Sequence, residues 1–302
     1  MTHAGSQAEP LFEPGFVRVL EQLTLAGRRV PAGRSVGQWR SRATGSSVEF
    51  SDYRTYTPGD DYRRIDWNAY ARLERLFMRL YRAEENLSLT MLVDCSTSMA
   101  WGRPAKLRLA ARLAGALGYV ALRTDDRVDL ATLRGGGIGE RAPTASGQNG
   151  AFPLWRFLER LSAGGTTDLD ASLMTYARHL RGSGLALVIS DLFSPDGYQA
   201  GIDALLARRQ DVLLVHVLAP DELDPTPDLI GEWKLQDVEG TEPIQATITP
   251  SVLRVYRRLL STFTREVGEF CRRRGVTYLL LPSNVSVEDV LVRTLRHAGI
   301  LV

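Results

Sequence analysis

The chain has 302 residues, 44% of them hydrophobic and 24% charged, with a formal net charge of +2. That composition excludes general disorder, and the length suits one large domain or a domain with a substantial extension. The near-neutral charge gives no reason to expect nucleic acid as a partner.

The opening MTHAGSQAEP lacks the basic and apolar regions of a signal peptide, and residues 1–10 read as frayed. Phe16, Val19, Leu20 and Leu23 recur at helical spacing and predict a short helix. The Gly-, Ser- and Arg-rich stretch from Gly27 to Gly59 reads as loops and short strands, and RLFMRLYRAEE as extended chain. From Leu87 onward strand-like runs alternate with helical ones. Leu87 to Val93 is a strand, Pro104 to Arg123 a helix, RVDLATL a strand, and AFPLWRFLERL and DLDASLMTYARHL are helices. LALVISD and VLLVHVL follow as strands. A long helix begins at Pro250 with Thr249 as N-cap and ends before Gly275; VTYLLLP is the last strand and SVEDVLVRTLRHAG the last helix. EWKLQDVEGTEPIQATI interrupts this rhythm as a hairpin turning at Glu239-Gly240-Thr241, and RGGGIGERAPTASGQNG reads as a mobile Gly-rich loop. No run approaches the ~18 apolar residues that span a bilayer.

Such alternation predicts a mostly parallel sheet with helices on both faces. The division expected is an N-terminal extension, 1–86, and a main domain, 87–302, with a hairpin insertion near 231–248. Ligands of open parallel sheets bind beyond the carboxyl ends of the strands. Asp94 stands at one such end, with Ser96 and Ser98 just after it, and Asp191 at another. GGTTDLDASL supplies Thr166 and Thr167 from a third loop. These are hard oxygen donors, which suit Mg²⁺, Mn²⁺ or Ca²⁺ rather than zinc. Cys95 and Cys271 fit no zinc-type spacing and no disulfide framework, so both are expected as reduced thiols in a cytoplasmic protein.

DCSTSM resembles the DxSxS metal-ion-dependent adhesion motif (MIDAS) of von Willebrand factor A domains, GGTTDLDASL that family's second loop and ISDLF its third. The resemblance carries the metal site to Asp94, Ser96, Ser98, Thr167 and Asp191. It implies direct binding by the hydroxyls and a partly water-mediated role for the two acids. Upstream, YTPGDDYRRIDW is similar to the signature of a bacterial family catalogued as domain of unknown function fifty-eight. A His common in that family has no counterpart in GQWRSR. The resemblance implies an association with MoxR-type AAA+ ATPases and an adaptor role toward an unidentified client.

Other readings of single residues are structural. Asp168 and Asp170 complement a helix dipole, Asp60, Asp61, Arg63, Arg64 and Asp66 form a turn with internal ion pairs, and Cys95 packs away from the ion. All but Lys106 and Lys234 of the 37 basic residues are arginine, a bias that reads as genome composition. The four histidines follow no GxSxG elbow, so a hydrolase triad is not expected. The expectation is therefore a non-catalytic interaction module of von Willebrand factor A-like α/β fold. A metal-dependent hydrolase using the same ion and a metal-free scaffold are the alternatives.

Overall fold

A computed structural model describes residues 11–26, 48–57, 65–73, 75–83, 87–166, 168–226, 228, 230–235 and 244–302. The expected frayed start, Asp60, Asp61, Arg63, Arg64, Thr167 and the Glu239-Gly240-Thr241 turn lie outside these residues.

In chain order the elements are α1 (Pro14–Leu20), β1 (Val48–Thr55), α2 (Trp67–Leu73), β2 (Phe77–Ala83), β3 (Ser88–Asp94), α3 (Lys106–Arg123), β4 (Arg127–Arg134), β5 (Gly137–Arg141), β6 (Ala145–Ser146), α4 (Ala151–Glu159), α5 (Leu169–Ala177), β7 (Gly184–Ser190), α6 (Gln199–Ala207), β8 (Gln210–Leu218), α7 (Pro220–Leu223), β9 (Gly231–Leu235), β10 (Ile244–Ile248), α8 (Pro250–Arg274), β11 (Thr277–Pro282) and α9 (Val287–Asp289). A π-helical stretch, Val290–Leu295, continues α9.

The chain divides into two compact units, with residues 11–26 grouped with 87–302 and residues 48–83 in the other. The first helix thus belongs with the larger unit, although chain order alone puts it in the extension. Leu20, Leu23 and Leu25 are buried in its core, and Leu25 bridges to Leu301. In the smaller unit β1 and β2 pair antiparallel from Val48 opposite Ala83 to Thr55 opposite Phe77. Asp66 takes a structural part there: its Oδ1 accepts from the N–H groups of Asn68 and Ala69 at the start of α2.

The central sheet runs β11-β8-β7-β3-β4-β5, with β6 also beside β4. The first five strands are parallel, and β5 and β6 pair antiparallel to β4. Leaving out β6 and numbering within the sheet, this is the doubly wound order 3-2-1-4-5-6. The fold is α/β, a mostly parallel sheet with helices on both faces, the arrangement expected of a von Willebrand factor A-like domain. Side chains alternate between its two faces, as strand geometry requires. Leu89, Met91, Val93, Leu187 and Ile189 pack with α3 and α4, while Leu92, Ala186, Val188 and Leu214 pack with α5, α6 and α8. The near-continuous apolar runs thus feed two cores at once.

Two local expectations are corrected. The Gly-rich segment is not simply a loop: Gly135 and Gly136, at φ +56° and +75°, turn the chain so that β5 extends the sheet edge. Helix α3 begins at Lys106 rather than Pro104, because Pro104 is used in the preceding loop, where its carbonyl accepts from the Ser283 hydroxyl at 2.8 Å. The long-helix reading holds in detail: Thr249 accepts from the Val252 N–H, and Gly275 ends α8 at φ +72°.

Candidate functional site

The strand order reverses between β3 and β7, which is where a doubly wound sheet opens a crevice for ligands. Asp94 is the last residue of β3, and Asp191 directly follows β7. Both are fully buried, although a carboxylate at a loop start is ordinarily solvated.

Each acid is held by its own loop. Asp94 Oδ1 accepts from the Ser96 N–H at 2.9 Å, and Oδ2 from the Ser190 hydroxyl at 2.6 Å. Asp191 Oδ1 accepts from the Phe193 N–H at 3.1 Å. Between these groups Leu192 takes φ +59°, a costly backbone for a leucine, held by an N–H bond to Ser190 Oγ at 3.0 Å. The Ser96 and Ser98 hydroxyls lie 3.1 Å apart. The third loop is stitched to the first. Thr97 donates its N–H and its hydroxyl to the Gly165 carbonyl, and the Gly164 N–H donates to the Cys95 carbonyl.

Four of the five expected metal-site residues, Asp94, Ser96, Ser98 and Asp191, therefore converge at one end of the sheet. Thr167 lies outside the described residues, but Gly165 and Thr166, just before it, are bonded to the first loop and to the β4 turn. Asp168 and Asp170 do not join the site. Asp168 caps α5 through the Ala171 N–H at 2.9 Å, and Asp170 accepts from the Gly201 N–H at 2.7 Å. The Cys95 side chain packs in the core, where burial, with the Asp94 charge adding, pushes its thiol up to about 12.

Three residues were missed by sequence reasoning: Ser190, which holds Asp94, and Lys106 and Glu222. Lys106, on the first turn of α3, is fully buried, and its ammonium donates to Asp191 Oδ2 at 2.8 Å and to Glu222 Oε1 at 2.7 Å. Glu222, on α7, also accepts from the Ala219 N–H through Oε2 at 2.7 Å. The signal available was that Lys106 is one of only two lysines and follows the metal-type loop closely.

The electrostatics are unbalanced at Asp94. Burial first, and the Asp191 charge second, push its carboxyl up to about 6, against the hydrogen bonds from Ser190 and Ser96 that favour the charged form. Among the described residues no three His, Cys, Asp or Glu side chains converge to hold a metal, so an ion here depends on the hydroxyls. The donor set fits a hard divalent cation: two buried acids that repel one another, and two hydroxyls within one hydrogen bond of each other. Ser96 and Ser98 would hold it directly, with Asp94 and Asp191 completing the shell among the described residues.

A family model described as "Protein of unknown function DUF58" matches residues 52–262. An uncharacterized protein of Mycobacterium bovis is 27% identical over 274 residues, 89% of this chain and 85% of that protein. An uncharacterized protein of Mycobacterium avium is 29% identical over 144 residues, 47% of this chain and 83% of that one. Among solved structures, BatB from Bacteroides thetaiotaomicron is similar at 18% identity and a TM-score of 0.45, covering 70% of this chain and 98% of that one. An aerotolerance-related membrane protein from Bacteroides fragilis is similar at 19% identity and a TM-score of 0.43, covering 70% and 99%. No described helix is long and apolar enough to cross a membrane.

Proposed function

The chain belongs to the DUF58 family, and we propose that it is a non-catalytic interaction module whose oxygen-lined site docks an acidic residue of a partner through a divalent ion. The observation that carries this reading is the convergence of buried Asp94 and Asp191 with the Ser96 and Ser98 hydroxyls at the strand-order reversal. An ion held mainly by neutral hydroxyls keeps most of its positive charge, so it supplies an electrophilic position for an outside carboxylate. The chain's own residues set that position. Ser190 fixes Asp94, the Phe193 N–H fixes Asp191, and Gly165 fixes the first loop.

The partner proposed, from the resemblance of YTPGDDYRRIDW and the metal-type loops, is a MoxR-type AAA+ ATPase, with this chain as adaptor for a client protein. A non-catalytic role is supported by the engagement of Glu222, the acid that shares the Lys106 ammonium with Asp191. Glu222 is bound by Lys106 and the Ala219 N–H. His216 is fully buried, with Nδ1 against the Tyr278 hydroxyl at 2.8 Å. A water nucleophile on the ion would need a free base beside it.

The metal-free scaffold has one observation in its favour: Lys106 already places a positive charge on Asp191. A pull-down with a MoxR-type AAA+ ATPase as prey separates the readings. Metal-mediated docking predicts recovery in Mg²⁺ and loss in EDTA or with D94A. Recovery indifferent to chelation would leave the scaffold standing.

A further inference from the structure

A fully buried lysine is uncommon, and one pinned between two carboxylates has a defined electrostatic task. Lys106 reaches the site from α3, Asp191 from the loop after β7, and Glu222 from α7. The Lys106 ammonium is 2.8 Å from Asp191 Oδ2 and 2.7 Å from Glu222 Oε1, and Phe193 places its ring 5.4 Å from the same nitrogen. No bulk water screens this charge, because the Lys106 side chain is wholly buried. Glu222 in turn is held at its other oxygen by the Ala219 N–H, and its carbonyl accepts from the Tyr256 hydroxyl at 2.8 Å. The carboxylate of Glu222 is therefore fixed in place by the backbone and is available to balance the lysine.

A unit positive charge bound to one of the candidate metal ligands opposes any divalent cation beside it. Taken alone it would suppress metal binding. Paired with Glu222 it is neutralised in part, so Asp191 keeps part of its attraction for a divalent ion beside it. The geometry points to Lys106 and Glu222 as a pair of positioning residues that set metal affinity in opposite directions: Lys106 loosens the hold on the ion by occupying Asp191, and Glu222 restores it by balancing Lys106. This inference rests on the metal-docking reading of the site. It adds to that reading a reason for weak resident binding, so that an arriving carboxylate contributes strongly to the stability of the ion.

The test is a Mn²⁺ titration by calorimetry, with Mn²⁺ electron paramagnetic resonance as a second readout, on the whole chain as wild type, K106M and E222Q. The expected result is binding tightened about tenfold or more in K106M and weakened about tenfold or more in E222Q. A merely structural role would weaken both, so the opposite signs are the signature. Weaker or unchanged binding in K106M overturns the inference. If K106M does not fold, the half-buried position of Glu222 leaves E222Q as the judge, and unchanged or tighter binding there overturns it equally. Equal affinities in all three proteins would remove only the roles of Lys106 and Glu222. Failure of all three to bind Mn²⁺ would remove the metal-docking reading as well.

Discussion

The Ser190 hydroxyl donates to Asp94 Oδ2 at 2.6 Å, so the last residue of β7 holds the last residue of β3. The same oxygen accepts the N–H of Leu192, which stands in the left-handed region. One hydroxyl therefore fixes both the first acid and the backbone that aims the second. Ser190→Ala should cost about 1–3 kcal/mol, the penalty of leaving buried polar groups unpartnered. Urea denaturation in EDTA would measure it, and a loss below a few tenths of a kcal/mol would show that the bond contributes little.

Asp94 gives the site a characteristic dependence on pH. Its folded carboxyl is pushed up to about 6 from an ordinary 3.8, so between those values the folded state binds more protons than the unfolded chain. This group's contribution to stability is therefore largest at low pH and falls as pH rises from about 3.8 to about 6. Asp94→Asn removes the titration and keeps the shape. In EDTA at pH 8 it should be at least as stable as wild type, and its margin over wild type should shrink as pH falls to 4. A D94N protein that is less stable at pH 8 than at pH 4, relative to wild type, would refute the sign.

His216 works in the opposite sense over an overlapping range. Burial pushes its imidazole down to about 4 from 6.5, so the unfolded chain binds more protons between those values. Its contribution is fully present above about 6.5 and is lost as pH falls toward 4. Replacing His216 with Phe should therefore make stability fall more steeply with rising pH between 4 and 6 than it does in wild type, measured by melting temperature across that range. An unchanged slope would mean that His216 does not titrate on unfolding.

The close parallel pairing of β3 and β7 also sets a steric limit. Gly184 begins β7 beside Ser88 of β3, and a Cβ there would run into the Ser88 carbonyl oxygen, which is backbone and cannot swing away. Gly184→Ala should destabilise the protein by about 1–3 kcal/mol or more. Because the strands it separates carry Asp94 and Asp191 at their far ends, chemical denaturation should report the loss without any added ligand.

Much of this arrangement was legible in the sequence, for identifiable reasons. Apolar runs such as LALVI announce buried parallel strands, and an acid where such a run stops marks the ligand edge; Asp94 and Asp191 are both of this kind. Thr249 and Gly275 bracket α8 through cap chemistry that is local in sequence. What was not legible depends on contacts distant in sequence. Lys106 looks like a surface charge at a helix start until Asp191 and Glu222, 85 and 116 residues away, close on it. Ser190 looks like the polar end of a strand until Asp94 arrives 96 residues off. The Gly-rich segment joins the sheet because β4 offers it an open edge, and nothing within the segment states that.

The central claim is that Asp94, Ser96, Ser98 and Asp191 share one divalent ion. The most direct measurement is the anomalous density of a crystal of the chain soaked in Mn²⁺. The account predicts a single strong peak in direct bonding range of the Ser96 and Ser98 hydroxyls, with Thr167 drawn to the same ion. No peak at this end of the sheet, or a peak elsewhere while the two hydroxyls remain bonded only to each other, would contradict it.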